Sequence, residues 1–441
     1  VREVALERML ALVDRDGVTD LERRYAFVLT KLVTEGVAPA ADGLTGAARE
    51  YPGDPQLTLL KCLFNRGGYD ALGKATPDQL RAEEEMKETI GRHPDFTWLR
   101  YGYLAMRAEA PSLEDDLDMA RQLVADAPEY APYFHLLGHY EWRCGNHARA
   151  ALAFGRAVEL YEGWQRENGL GALDCPAWTK AESYRAAALA SKGDYETALA
   201  IADRLAAIEV PLEVAGSNGG RMLMWEGKTL SVRILMRRGE AGDMARATGV
   251  LPPLDEVGDF GKKSLALWSY QIHSSLVAGR LAIEKGELAA AREIAMDVSR
   301  IGERFVKTRD VADRAGERSF WLRGFKAFEV MASELRGLIN MADAPESRGT
   351  AYNWFRSATD RQQRASLMMP PAVLLPMECR LAEFHLDREE TEKAVEVLLA
   401  GLEAYPEDLE LLRRLLAAYE DKGAEAEAAD TRRRIEALVG G

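Results

Sequence analysis

The sequence predicts an all-α fold built from repeated helix–turn–helix units, and two adjacent blocks of 34 residues show the repeat most clearly. Thr97–Tyr130 ends close to Pro128, and Ala131–Trp164 follows with small or apolar residues where the two helices of a unit would touch. A single unit of this kind cannot bury its apolar face alone, so units stack into a solenoid. The composition agrees, because Ala, Leu, Arg and Glu dominate and β-branched runs are scarce.

Further units lie on both sides of this pair. Glycines near the expected turns, such as Gly145 and Gly193, permit the positive φ that ends the first helix of a unit. We predict units over 56–94 with a lengthened turn, at Thr179–Leu212, over Trp225–Leu251 in degenerate form, from Ile272 onward, and at Leu375–Asp408 and Leu409–Gly441.

Other segments depart from the repeat. Leu251–Asp259 is predicted to be a loop, and two long helices are predicted at Arg309–Met341 and Ser347–Met368, closed by Pro370–Pro371. This expanded helical pair either stacks in the same array or forms a separate helical subdomain. The predicted organisation is capping helices over 1–55, a repeat array over 56–302, the expanded pair over 303–371, and C-terminal repeats with a cap over 372–441.

Charge and cysteine spacing exclude several classes of protein. The formal net charge of -14 argues against a nucleic-acid partner, which requires a basic face. The four cysteines are far apart and form no C-x-x-C pair, so neither a zinc ribbon nor a disulfide framework is predicted. No apolar run reaches the roughly 18–20 residues of a membrane helix, and no signal peptide is visible. A cytoplasmic location is the default expectation, and a processed exported protein is the alternative.

The 34-residue units, with their glycine turns and closing prolines, resemble the tetratricopeptide repeat (TPR) over much of the chain. The resemblance implies a TPR-type α-solenoid, a right-handed superhelix of antiparallel helix pairs whose inner wall is lined by the first helix of each unit. Applying the TPR frame to this chain predicts a ligand-binding groove lined by Trp98, Tyr101, Glu109, His135, His139, Trp142, Arg143, Arg233, Arg237, His273 and Arg280.

An acidic protein with Arg, His and aromatic side chains along its groove suits an extended peptide that carries carboxylates and an apolar anchor. Arginine makes bidentate contacts to carboxylates, and aromatic rings supply contact area. The hypothesis is a non-enzymatic protein- or peptide-binding scaffold, and it requires these side chains to be solvent-accessible and to converge. Two interpretations compete with it: the arginines pair with neighbouring glutamates while the aromatics pack between units, or the convex face and the end helices make the contacts.

A narrower resemblance concerns bacterial TPR proteins of unestablished role that carry two histidines four residues apart on one first helix. His135 and His139 match that pair, Glu109 matches an acidic residue on the helix before, and Pro370–Pro371 matches a proline-rich entry to a late unit. The chain departs from those proteins at Gly102 and Met106, where the earlier helix often has histidines of its own.

The histidine pair supports the alternative function, a metal-binding or small-molecule-processing protein centred on His135 and His139. Histidines at i and i+4 share one helical face, which is the spacing that a metal needs from two imidazoles. The candidate third ligands are Glu109, Met106 and Cys144. The residues after His135 are leucines, so the chain lacks the H-E-x-x-H motif. No nucleophile or phosphate-loop signature is present, so neither a cofactor nor an enzymatic activity is predicted.

Overall fold

The computed structural model describes residues 2–13, 15–70, 73–211, 213–251, 265–311 and 318–440, and the described residues form α-helices joined by turns. The predicted all-α class is confirmed within these ranges, where consecutive helices pack against each other in pairs. It divides into two compact units, Val1–Pro128 and Glu129–Gly441. No helix in the described ranges combines the length and apolarity needed to cross a bilayer.

The first unit begins with helices whose starts follow from local chemistry. Thr19 accepts a hydrogen bond from the Glu22 amide at the start of one helix, and Asp54 does the same for Leu57 at another. The helices are α1 (Arg2–Val13), α2 (Asp20–Thr34), α3 (Val37–Glu50), α4 (Pro55–Asn65), α5 (Pro77–Arg92), α6 (Thr97–Arg107) and α7 (Leu117–Asp126).

The second unit contains antiparallel pairs, an irregular region around residue 225, and an expanded pair formed by the helices Arg318–Ala342 and Ala351–Arg361. The irregular region is a one-turn π-helix, Leu223–Gly227. The helices are α8 (Ala131–Arg143), α9 (His147–Asn168), α10 (Pro176–Lys192), α11 (Tyr195–Ala206), α12 (Asn218–Met222), α13 (Lys228–Arg238), α14 (Asp243–Val250), α15 (Leu265–Glu284), α16 (Leu288–Val311), α17 (Arg318–Ala342), α18 (Pro345–Arg348), α19 (Ala351–Arg361), α20 (Glu378–Asp387), α21 (Thr391–Ala404), α22 (Leu409–Lys422) and α23 (Glu425–Gly440).

The predicted boundaries of the expanded pair are wrong at both ends. Arg309 belongs to the preceding helix α16, and the second helix of the pair ends at Arg361 instead of Met368. The chain from 362 to 376 has no helix, because its carbonyls bond to side chains of other helices, as described below. Apart from Leu251, the predicted loop Leu251–Asp259 lies outside the described residues.

The last two pairs of the second unit return to its first two pairs. Gly193 ends α10 with φ 90°, and a side chain at this position would collide with Leu409 at the start of α22. The Tyr195 hydroxyl lies 3.0 Å from a carboxylate oxygen of Glu410, to which it donates. The two ends of this unit are therefore joined by close packing of Leu409 against Gly193 and by a buried hydrogen bond between Tyr195 and Glu410.

Close helix packing in the first pair of this unit depends on Gly138. A Cβ at Gly138 would lie 2.7 Å from the buried ring of Phe154. Gly163 on α9 offers a contrast, since the nearest group to its Cβ is the end of the Arg166 side chain at 3.9 Å.

We expect Gly138→Ala to lower the free energy of unfolding by about 1–3 kcal/mol, because the ring of Phe154 must move. The matched variant Gly163→Ala should raise it by about 0.5–1 kcal/mol through helix propensity alone. Urea unfolding of both variants measures the difference. Equal changes of the same sign would contradict the packing described for α8 and α9.

Candidate functional site

The central feature of the second unit is a non-helical loop of residues 362–376 between α19 and α20, here called the inner loop. Its two ends are held together by one side chain. The Gln362 amide donates to the Leu375 carbonyl at 2.9 Å and accepts from the Met377 backbone N–H at 2.7 Å. The inner loop is thus an Ω-loop closed at its base by Gln362.

The first arm of the inner loop runs along α8 and α10. Arg143 donates to the Ala365 carbonyl at 3.4 Å, the Tyr184 hydroxyl donates to the Ser366 carbonyl, and the Lys180 ammonium donates to the Leu367 carbonyl at 3.0 Å. Tyr184 and Lys180 lie one turn apart on α10, so this arm descends along that helix.

The second arm returns along α13. Arg233 donates to the Pro371 carbonyl at 3.0 Å, and Arg237, one turn further along α13, donates to the Leu374 carbonyl at 2.6 Å. The side of α8, α10 and α13 that faces the inner loop is called the central face. Its five donors are the donor row: Arg143, Lys180, Tyr184, Arg233 and Arg237.

Arg237 also joins the central face to the C-terminal pairs. Its Nη2 atom lies 3.0 and 2.9 Å from the two carboxylate oxygens of Asp408, and its Nε atom donates to the Ala190 carbonyl at 3.1 Å. The two charged side chains are only 1% and 5% exposed. Asp408 in turn accepts from the first backbone amides of α22, so the ion pair also caps that helix.

Arg233 forms a buried ion pair with Glu226, which lies seven residues earlier in the sequence. Its guanidinium lies 2.6 Å from a carboxylate oxygen of Glu226, and both side chains are 1% exposed. The one-turn π-helix places Glu226 there, and Arg233 donates to its backbone carbonyl as well. Burial raises the pKa of Glu226, while Arg233 opposes that change.

His135 and His139 are both buried, and they lie on the same helix as predicted. The imidazole of His135 packs 5.2 Å from the ring of Phe154 and 4.8 Å from that of Tyr184. Burial holds the pKa of His135 well below its ordinary value, and the charges of Lys180 and His139 act in the same direction. His135 is therefore a neutral ring in an aromatic environment.

A metal site at this pair requires further ligands. Within the described ranges, no group of three or more His, Cys, Asp and Glu side chains could hold a metal ion. Metal binding by His135, His139 and Glu109 stays a prediction.

The other predicted groove residues of the second unit contact their own helices and neighbours. Trp142 donates from its indole N–H to Ser191 at 3.2 Å, and Arg280 donates to the Met236 carbonyl at 3.0 Å, at the end of α13. His273 bonds to the Ser269 carbonyl one turn earlier, at 2.6 Å.

Three predicted groove residues lie in the first unit. Trp98 is half-buried and stacks on Phe96 with 5.5 Å between the ring centroids. Tyr101 and Glu109 are also half-buried. Burial lowers the pKa of Arg66, and the nearby charge of Glu109 opposes that change.

The expectation that the groove residues are solvent-accessible is wrong for most of those in the second unit. His135, Trp142, Arg233, Arg237 and His273 are buried. For Arg233 and Arg237 the physical reason is the inner loop, whose Pro371 and Leu374 carbonyls accept their hydrogen bonds. A role for these residues in binding a ligand stays a prediction.

Sequence reasoning missed the inner loop, although a signal was present. Residues 365–376 are almost all apolar, contain three prolines and follow no helical period. A segment of this kind, too short and proline-rich for a helix, is a candidate buried loop. From the sequence, Pro370–Pro371 is assigned to the end of a helix and to a proline-rich entry to a late unit, not to a buried loop.

No protein-family model and no curated protein sequence matches this chain. Its arrangement of helices is similar to solved structures at low identity. The human IFIT1 dimer with PPP-AAAA matches over 100% of this chain and 87% of its own, at 14% identity and a TM-score of 0.40.

Two other solved structures are similar at the same low level. The APC/C hetero-tetramer Cut9–Hcn1 matches over 99% of this chain and 82% of its own, at 14% identity and a TM-score of 0.28. Naa15/Naa10 bound to HypK-THB matches over 95% and 64%, at 12% identity and a TM-score of 0.32. Similarities of this size carry no information on the partner of this chain.

The buried pair of Arg237 and Asp408 predicts a large effect of one substitution. Arg237→Met should lower the free energy of unfolding by about 3–5 kcal/mol, because it leaves a buried carboxylate without its partner. Arg156→Met, which removes an exposed pair with Glu159, should cost less than about 1 kcal/mol. Chemical unfolding of the two variants makes the comparison, and similar losses in both would contradict the buried pair.

A pH prediction follows from His147, whose Nε2 lies 3.1 Å from the Glu407 carbonyl. Burial lowers the pKa of His147 from 6.5 to about 4, and Asp408 opposes this. Because the folded chain keeps His147 neutral, the unfolded chain binds more protons below pH 6.5. The contribution of His147 to stability is therefore complete above that pH and is lost as the pH falls toward 4.

We expect the difference in unfolding free energy between the native chain and His147→Gln to shrink by about 2 kcal/mol between pH 7 and pH 5. The buried carboxyls of Glu226 and Glu378, whose pKa values burial raises, titrate in both chains and cancel in the difference. Urea unfolding at matched pH values measures it. Parallel pH curves would show that His147 is not buried as a neutral ring.

Proposed function

We propose that the protein is a non-enzymatic scaffold that binds a segment of a partner protein on the central face of the second unit. The donor row carries this proposal, because five side chains on three helices meet main-chain carbonyls of one non-helical segment. The face therefore has the chemistry of a polypeptide-binding surface. In the free chain, the segment bound there is the inner loop.

The positions of the donors on helices support this function. Lys180 and Tyr184 project from α10, and Arg233 and Arg237 project from α13, so each pair repeats at one helical turn. Sites built on helices hold their geometry better than sites built on loops. The arginines are further fixed by Glu226 and Asp408, which accept from their Nη2 atoms, while their Nη1 atoms donate to the inner loop.

Other partners and functions have less support. The net charge of -14 favours a protein partner over a nucleic acid, since phosphate binding requires clustered cations. The cations of the central face are partly neutralised by buried carboxylates. The alternative centred on His135 and His139 lacks a third metal ligand within the described ranges.

The inner loop acts as an internal competitor in this proposal. A tethered segment has an effective concentration on the order of millimolar. A partner segment displaces the loop only if its own concentration or its affinity for the face is high enough to compete. Binding in trans is consequently weak for the native chain and stronger when the inner loop is removed.

The test uses a chain whose residues 363–375 are replaced by a Gly/Ser linker of equal length, and a labelled synthetic peptide with the sequence of residues 362–376. We expect the loop-replaced chain to bind the peptide at least about tenfold more tightly than the native chain. Fluorescence anisotropy measures both affinities, and circular dichroism checks that the helices are retained.

Two variants in the loop-replaced background serve as controls. Lys180→Met with Tyr184→Phe removes two donors and should weaken peptide binding about tenfold. Lys285→Met, at an exposed turn, should leave it unchanged. A folded loop-replaced chain that does not bind the peptide would refute the proposed function.

A further inference from the structure

We infer that the central face selects an uncharged, proline-containing apolar segment and discriminates against an acidic one. This inference rests on the proposed function and names the chemistry of its ligand. It reverses the expectation, based on the arginines alone, that the groove suits a peptide with carboxylates. The inner loop, seated on the face, is the template for the partner.

The first argument is electrostatic. Glu226 and Asp408 already occupy the carboxylate-binding positions of Arg233 and Arg237. Both pairs are buried, so a ligand carboxylate placed beside them would lose its hydration without gaining an unpaired arginine in return. The N–H groups that remain for the ligand point to the carbonyls of Pro371 and Leu374, which are neutral acceptors.

The second argument concerns the balance of donors and acceptors. The central face offers the inner loop arginine, lysine and tyrosine groups that donate hydrogen bonds. A complementary ligand presents carbonyls and few N–H groups, since a buried N–H without an acceptor is costly. Pro370, Pro371 and Pro376 have no N–H, so the inner loop is poor in donors over its second arm.

The third argument is the apolar character of the positions that the loop side chains fill. Ala365 packs in a cluster with Trp142 and Tyr184, and Leu374 lies against the same cluster. Leu367 and Leu375 are buried. Residues 365–376 contain no Asp, Glu, Lys or Arg, so every side chain that this part of the face accepts in the structure is uncharged.

The exposure of the loop side chains indicates which positions of a partner segment are constrained. The tip of the loop is the sole place where a large apolar side chain of the loop is strongly exposed among the described residues, at Met368, 59% exposed. On either side of the tip, Ala365, Leu367 and Leu375 are buried. A partner therefore needs a run of neutral residues with prolines, and its tip tolerates variation.

The experiment compares three synthetic peptides on the loop-replaced chain by fluorescence anisotropy. The first has the sequence of residues 362–376. The second replaces the residues equivalent to Leu367 and Leu374 by Glu, and the third replaces those equivalent to Pro370 and Pro371 by Ala. We expect the acidic peptide to bind at least about tenfold more weakly than the first, and the alanine peptide about threefold to tenfold more weakly.

The outcomes separate the two proposals. An acidic peptide that binds as tightly as the first, or more tightly, overturns this inference while leaving the proposed function intact. Failure of all three peptides on a folded chain refutes the proposed function itself. Equal binding of the alanine peptide would remove proline from the description of the ligand and overturn that part of the inference.

A second set of variants keeps the inference testable if the loop-replaced chain does not fold. In the full chain, Leu374→Glu and the double variant Pro370→Ala/Pro371→Ala are compared by hydrogen exchange of the inner-loop amides. Leu374→Glu should speed their exchange at least about tenfold, and Met368→Gln, at the exposed tip, should not. Unchanged exchange in Leu374→Glu would overturn the selection against acidic residues.

Discussion

The buried guanidinium of Arg237 is the interaction on which the second unit depends. It bonds to the end of α10 at Ala190, to the inner loop at Leu374 and to the C-terminal pairs at Asp408. A buried charge is costly unless it is paired and its hydrogen bonds are satisfied. Each of these three parts must therefore be in place for the others to be stable. Through Arg237, the last helix pairs of the unit are bonded to its earlier helices.

The inner loop supplies hydrogen-bond acceptors to buried donor side chains of the helix pairs. The first helices of the pairs carry arginine, lysine and tyrosine toward the centre of the unit, where their N–H and O–H groups need acceptors. Five carbonyls of the loop, at residues 365, 366, 367, 371 and 374, supply these acceptors, and apolar side chains of the loop pack against the helices. In the proposed function, a partner segment that replaces the loop has to reproduce both contributions.

The sequence predicted the fold better than it predicted the site, for physical reasons. Helix pairs follow from local patterns, and the glycines that end first helices, such as Gly193, have the positive φ expected of them. The repeat frame put Arg143, Arg233 and Arg237 on the inner side of their helices, and all three meet the inner loop there. Their contact with the inner loop was not predictable, because the loop has no periodicity and Arg233 contacts a residue 138 positions away.

Hydrogen exchange of the native chain tests the central claim most directly. If the inner loop occupies the central face, amides of its buried residues 365–367 and 375 should exchange slowly, at rates comparable with those of α10 and α13, because they become accessible only when the unit opens. Exchange as fast as that of the exposed turn at Gly286 would show that the loop does not rest on the central face, and would contradict the account of Arg237 as the point where loop, helices and C-terminal pairs are joined.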